Sequence, residues 1–429
     1  MIIRFNSVSG FPVIRFVNLC LRGSTLAAKF LLLFVLAYFL EPVDVALYGL
    51  VVATIAYSLY ALGFDFYAYS TRELLGNPRN QWAKLLRDQA VFFGLVYCCI
   101  LPLLLLVFAL GLLPWFLAPW FFLLVVLEHL GQELNRMLVA MSRQLLAGVV
   151  LFLRSGVWAF AVALMFWYSE DFRSLEVVFL SWAVSAFLAC LLGVFSLRSL
   201  SRKCLNEKIN WRWIGIGVKV AIPLLVATMA IRAVFTVDRY WVESMAGAEV
   251  LAAYVLFFGV ANAVKSFLEA GVFVFLYPKI VRAFKEKDSA GFKQAMSELL
   301  RQTVIVTVLL CLSAVVLIHP VLGWLQKELY SQHIGILYLL LVATFIFSIG
   351  MIPHYGIYAM SQDKYIIGSH ILTLCVFLMA AAGLASISLV YAVPLALCFS
   401  FSFMAVSKLV SYFYLRRKIE LGVSQMDCD

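Results

Sequence analysis

Long apolar runs recur from one end of the chain to the other, separated by short polar breaks. The pattern predicts twelve helices, at 14–40, 46–69, 89–112, 116–137, 145–168, 175–197, 214–237, 250–278, 300–320, 334–359, 367–385 and 390–414. Most approach or exceed the roughly 20 residues that cross a hydrocarbon core of about 30 Å. The longest internal connection, Ser196–Trp213, divides them six and six. The expected fold is an all-α polytopic membrane protein: an N-terminal half over 1–200, a cytoplasmic connection over 201–213 and a C-terminal half over 214–429. The start of each half also looks alike. "EPVDVALYGLVVATIAYSLYALGF" and "SMAGAEVLAAYVLFFGVANAVKSFLEAG" share an acidic residue, a Tyr soon after it, and an apolar helix ending in Gly. Repeats of this kind are common in transporters.

The polar positions set the orientation. With the N-terminus inside, the inner segments carry Arg72, Arg79, Lys84 and Arg87, then Arg136 and Arg143, then Arg198, Arg202, Lys203, Lys208 and Arg212. Further on they carry Lys279, Arg282, Lys285, Lys287 and Lys293, then Lys364, then Arg416, Arg417 and Lys418. The outer segments hold Arg173, Arg239 and Lys327. This asymmetry follows the positive-inside rule and puts both termini in the cytoplasm. Trp115, Trp120, Trp167, Trp241 and Trp324 fall near outer helix ends, as an aromatic belt would.

Composition agrees. The 429 residues are 64% hydrophobic and 13% charged, with a mean hydropathy of +0.99, which excludes an ordinary soluble domain. The net charge of +10 is spread over short inner segments, as topology alone predicts, so no nucleic-acid role is expected. Nine cysteines show no CxxC and none lies in an outer loop, so a disulfide framework is not expected. Five scattered histidines show no metal-ligand spacing. No short apolar segment with a small-residue cleavage site opens the chain, so no removed signal peptide is expected.

The chemistry lies in the charges inside the apolar runs. Arg15, Arg22 and Lys29 recur every seven residues. Seven residues advance a helix by about 700°, so the three share nearly one stripe at steps of roughly 10 Å. Arg22 falls at the inner boundary and Lys29 near mid-bilayer, where a Lys costs about 2.5–3.5 kcal/mol unless it faces protein or a wet cavity. Other deep cations are Arg154, Arg232 and Lys265. Deep anions are Asp65, Glu128, Glu133 and Glu269. Local pairing competes with function for several. Lys265 and Glu269 are spaced i,i+4 and either neutralise each other or face a lumen. Glu133 and Arg136, at i,i+3, read as a structural pair, Arg22 as a snorkelling anchor or a lumen group. Asp238 and Arg239 read as a solvated outer helix end. Lys29, Arg154 and Glu128 have no partner on their own helices and read as cavity-facing. A central lumen lined by Arg22, Lys29, Arg154, Arg232 and Lys265 would attract an anion, with phosphate or carboxylate oxygens suited to Arg forks and Lys point charges. Glu128, with its neighbour His129, is the candidate for ion coupling, and Asp65 and Glu269 are further acids that such coupling could use. No cofactor is expected beyond a proton or sodium gradient.

The run "LEPVDVALYGLVVATIAYSLYALGFDFYAYSTREL", Leu40–Leu75, resembles the first helical hairpin of the polysaccharide transporter family, the Wzx-type O-antigen flippases. The matching residues are Asp44, Tyr48, Gly49, Leu62–Phe64, Arg72 and Glu73. "TVDRYWVESMAGAEVLAAYVL" and "YAMSQDKYIIGSHI" resemble that family's segments after helix 7 and before helix 11. The resemblance implies a flippase of the multidrug/oligosaccharidyl-lipid/polysaccharide superfamily. Its cargo would be a polyprenyl-diphosphate-linked oligosaccharide, carried from the inner to the outer leaflet of the bacterial plasma membrane by alternating access. A cationic lumen is a property of that family. Lipid around the chain, and a glycan polymerase or chain-length machinery, are the implied partners; a monomer is the expected state. The two extra helices of the lipid II flippase branch are absent, which argues against a peptidoglycan precursor. Three other readings compete. A lipid-linked glycan polymerase or ligase would need a long outer loop. A major-facilitator transporter would need its motif where "TRELLGNPRNQWAKLLRDQ" stands. A multidrug antiporter of the same superfamily would favour acids in its lumen.

Overall fold

The computed structural model describes residues 11–200 and 207–426. Arg202, Lys203, Cys204 and Cys428, and the side chain of Arg15, lie outside the described residues. The described residues are helical nearly throughout, with no strand.

Among the described residues, eleven segments are long and apolar enough to cross a membrane, where the sequence predicts twelve. The difference lies in one segment, Trp211–Lys285, which contains two of the predicted helices. Its first part is α9, Trp211–Leu268, with 58 residues. At 1.5 Å per residue that is about 87 Å, close to three times the hydrocarbon core. The path breaks at Gly247, whose φ of 87° and ψ of 173° lie in a region that is essentially Gly-only. The apolar period runs through this turn, so the helical signal continues while the backbone does not.

The order of the other elements is α1 Phe11–Phe39, α2 Pro42–Gly63, α3 Tyr67–Gly76, α4 Trp82–Ala109, α5 Ala118–Ala140, α6 Gln144–Phe152, α7 Trp158–Tyr168 and α8 Leu175–Ser196. After α9 come α10 Val274–Lys285, α11 Ser289–Leu325, α12 Glu328–Gln332, α13 Ile334–Ala359, α14 Asp363–Leu384 and α15 Ala392–Met426. Two single turns of π-helix interrupt the series, Leu153–Val157 between α6 and α7 and Glu269–Phe273 between α9 and α10. Two of the helix starts carry side-chain caps. Ser174 accepts a hydrogen bond from the Val177 amide at the start of α8, and Asp288 from the Gly291 amide at the start of α11.

The chain forms two compact units. The N-terminal unit comprises the described residues to Leu40 together with Thr54–Leu225; the C-terminal unit comprises Glu41–Ala53 and the residues from Val226. In the N-terminal unit α1 packs against α6, the first π-turn and α7, and α5 against α8. Phe66, Phe92, Phe93, Val96, Trp213 and Ile214 form one of its buried clusters. In the C-terminal unit α15 packs against α13 and α14. Elsewhere apolar side chains face outward, among them Trp115, Trp167 and Trp324, as lipid-facing surfaces require.

Two expectations change here. Asp65 is not inside helix 2: α2 stops at Gly63, and Phe64 and Asp65 turn with φ of 53° and 47° before α3 begins. Asp238 and Arg239 are not a solvated helix end. Asp238 is 0% exposed, because the helix continues past position 237 and turns only at Gly247.

Candidate functional site

The N-terminal unit gathers three of the predicted charges. Glu128 is buried on α5. Its Oε1 accepts a hydrogen bond from Trp182 Nε1 at 2.8 Å, and its Oε2 lies 3.6 Å from Arg154 Nε. Arg154 Nη1 also donates to the Glu128 carbonyl oxygen at 3.2 Å. Lys29, exposed on α1, lies within electrostatic reach of both Glu128 and Arg154. Two cations therefore face one carboxylate, and the group keeps an excess positive charge. Arg154 Nε and the neighbouring Trp158 Nε1 have no hydrogen-bond partner. Trp158 stacks on Trp182 at 5.2 Å between ring centroids.

The backbone is shaped for Arg154. It sits on the Leu153–Val157 π-turn, a geometry that is rare overall and frequent at functional sites. Ser185 donates to the Leu153 carbonyl and satisfies one of the acceptors that the turn frees. Opposite, Gly131 makes room: a Cβ there would stand 2.7 Å from Arg154 Cδ. Gly131→Val is expected to displace the guanidinium, to cost about 1–3 kcal/mol of overpacking, and to cut transport severalfold in protein that still inserts. Transport per inserted molecule, read beside the elution profile in detergent, checks this.

Glu128 and His129 do not share a site. Adjacent helical residues point about 100° apart. His129 is fully buried, with its Nδ1 2.6 Å from the Tyr97 hydroxyl, against the Phe93 ring. That side of α5 holds a second polar group. Arg136 Nη1 meets Glu133 Oε1 at 2.5 Å, Gln89 Nε2 donates to Glu133 Oε2 at 3.1 Å, and Arg136 stacks 3.8 Å over Tyr67. Burial pushes the Tyr67 hydroxyl pKa up, against the Arg136 charge, so the phenol stays protonated. Asp65 is buried and close enough to act electrostatically on Tyr67 and Glu133. Tyr67, Gln89, Glu133 and Arg136 line part of a small cavity. Arg22 projects from α1 as an exposed side chain.

In the C-terminal unit Lys265 Nζ lies 4.8 Å and 4.7 Å from the ring centres of Phe235 and Phe347, with Glu269 Oε1 at 4.0 Å. Cation–π contacts of this kind hold an ammonium where water is scarce. These rings, with Phe258, Phe401 and Asn262, line a small cavity. Arg232 lies within electrostatic reach of Lys265. Glu269 opens the second π-turn, so each of the two π-turns among the described residues carries a predicted site residue. Among the described residues no group of three or more His, Cys, Asp or Glu is placed to hold a metal ion.

Sequence reasoning missed a further group. Lys408 on α15 is 0% exposed, with its Nζ 3.2 Å from His370 Nε2, and His370 stacks on His354 at 6.0 Å. The signal is present in "FMAVSKLVSYF", a lysine well inside an apolar run.

The architecture is that of a multi-pass helical membrane protein. Among solved structures, it is similar over 92% of its length, and over 95% of the other chain, to the inward-facing conformation of a multidrug resistance MATE family transporter of the MOP superfamily, with a TM-score of 0.74 and 13% identity. It is similar to a mutant form of the MATE transporter VcmN of Vibrio cholerae over 94% of this chain and 98% of that one, with a TM-score of 0.61 and 15% identity. It is also similar to a MOP superfamily transporter from Pyrococcus furiosus, described by the reverse polarity of its binding pocket, which suggests a different function. That match covers 95% of this chain and 94% of the other, with a TM-score of 0.59 and 13% identity. No protein-family model and no curated sequence matches the chain. The fold is therefore similar to that of the MATE transporters.

Proposed function

We propose that the chain is a secondary transporter that flips a polyprenyl-diphosphate-linked oligosaccharide, such as an O-antigen repeat unit, from the inner to the outer leaflet of a bacterial plasma membrane by alternating access. The carrying observation is the excess positive charge around Lys29, Arg154 and Glu128, where two donor groups, Arg154 Nε and Trp158 Nε1, have no hydrogen-bond partner. Such donors suit phosphate oxygens. Lys265 and Arg232 supply further cations beside an aromatic-lined cavity in the C-terminal unit. The Pyrococcus furiosus transporter is a precedent for this fold with a pocket of changed polarity. The loose motif resemblance to the polysaccharide transporter family points to the same cargo. The polyprenyl tail would stay in lipid, both termini would be cytoplasmic, and the chain would act as a monomer alongside the glycan polymerase and chain-length machinery.

Multidrug export is the second reading, favoured by the multidrug resistance transporter of the same fold. A cationic drug would need available carboxylates. Glu128 and Glu133 each face an arginine, which favours the anionic cargo.

Reconstitution decides between them. Purified protein in liposomes loaded with a polyprenyl-diphosphate-linked oligosaccharide should carry the glycan to the opposite leaflet, read with an impermeant glycan-modifying reagent. Liposomes that move a cationic dye but not the glycan lipid would establish the multidrug reading instead.

A further inference from the structure

We infer that Lys408 and His370 form a one-proton site in the C-terminal unit, filled when an anionic cargo binds beside Arg232 and Lys265. The inference rests on the anionic-cargo reading above and adds to it a group that binds one proton together with the cargo.

The geometry fixes the hydrogens. His370 Nδ1 lies 3.3 Å from the Ala227 carbonyl oxygen. A carbonyl oxygen only accepts, so Nδ1 carries the hydrogen and Nε2 offers a lone pair. Lys408 Nζ, 3.2 Å away, donates into that lone pair. Protonating Nε2 while Nζ remains an ammonium would set two N–H groups head to head. The pair therefore holds one excess proton or none.

The surroundings make that proton costly. Lys408 is 0% exposed, and no carboxylate faces it among the described residues. An ammonium has three hydrogens to donate, and here His370 is its partner. The groups on the packed elements are all basic or neutral. α9 contributes Arg232 and the Ala227 carbonyl, α13 contributes His354, and α14 contributes His370 itself. His354 stacks on His370 with an interplanar angle of 8°, and its Nδ1 has no hydrogen-bond partner. An unpaired buried charge is expensive. A buried lysine lacking a carboxylate is therefore suited to losing its proton and regaining it when negative charge arrives nearby.

Arg232 links the pair to the cargo. It lies within electrostatic reach of both His370 and Lys265, and Lys265 lines the aromatic cavity. With no diphosphate bound, Arg232 opposes a further positive charge at the His370–Lys408 pair, while Lys265 already faces Glu269. A bound diphosphate offsets Arg232, and the pair takes up a proton. By linkage the proton tightens binding of the diphosphate in turn. Release of the cargo then releases the proton.

The test measures protons directly. Farnesyl diphosphate is added to the purified full chain in weakly buffered detergent, with a pH indicator reading uptake and intrinsic Trp fluorescence reading binding. Buffer and ligand blanks are subtracted. Wild type should take up as much as about one proton per diphosphate bound at the pH of greatest uptake. Lys408→Met should bind the diphosphate severalfold more weakly with uptake lost. Lys408→Arg, which keeps a permanent charge, should bind it well and also show no uptake. This second variant guards against misfolding of the first. Uptake equal to wild type in a Lys408→Arg protein that binds farnesyl diphosphate would overturn the one-proton site and leave the anionic-cargo reading intact. Failure of wild type to bind farnesyl diphosphate would overturn both.

Discussion

Replacing Lys29 by Met is expected to lower flipping of the diphosphate-linked cargo at least tenfold while the protein inserts normally. Lys29 is exposed, so its loss removes little packing. It is one of two cations beside Glu128, and without it Arg154 and Glu128 cancel. A hydrogen bond to a charged group is worth about 1.5–3 kcal/mol, which corresponds to roughly ten- to 150-fold in binding. Lys29→Arg keeps the charge and should retain a large part of the activity. Leaflet-accessibility assays on liposomes matched for inserted protein give the comparison. Wild-type flipping by Lys29→Met would remove the anionic site from the N-terminal unit. A gain in transport of a cationic dye by the same variant would favour the multidrug reading.

Some of this is legible in the sequence, and the exceptions have physical causes. The apolar runs locate nearly every membrane segment, because a helix in lipid must satisfy its own backbone and cover itself with apolar side chains. They do not mark Gly247, since hydropathy is blind to φ. Lys29 and Arg154 stand out because single charges in apolar runs are rare. The Glu128–Arg154 pairing is hidden because the two residues lie on different elements, Arg154 on a π-turn that no periodicity reveals. Glu128 and His129 are neighbours in sequence, yet their side chains meet different partners, Trp182 and Tyr97. Lys408 is masked by the nearby basic cluster Arg416–Lys418, which reads as a cytoplasmic end. The helix continues to Met426, and α13 and α14 close over the lysine. Asp238 and Arg239 read as solvated because charges near a helix end look so until the helix proves longer.

Asp238 carries the second large expected effect. Asp238→Leu should destabilise the C-terminal unit by about 3–5 kcal/mol, the typical cost of stripping one partner from a buried ion pair. The carboxylate is fully buried and holds several donors at once. Tyr254 Oη donates to Oδ2 at 2.6 Å, the Arg239 amide to Oδ1 at 2.7 Å, and Arg239 Nη1 to Oδ1 at 3.2 Å. Arg239 also donates to the Phe235 carbonyl and lies 4.2 Å from the Phe258 ring centre. Without Asp238 a guanidinium and a phenol stay buried with lost acceptors. The triple variant Asp238→Leu, Arg239→Met, Tyr254→Phe removes all three polar groups together. Replacing a buried ionic network by apolar side chains is often close to neutral. The triple variant should therefore be more stable than the single one, although it carries more substitutions. The fraction eluting as a single species after a heat ramp ranks them. A single variant as stable as the triple would show that water reaches this network and that the three groups are not a closed buried set.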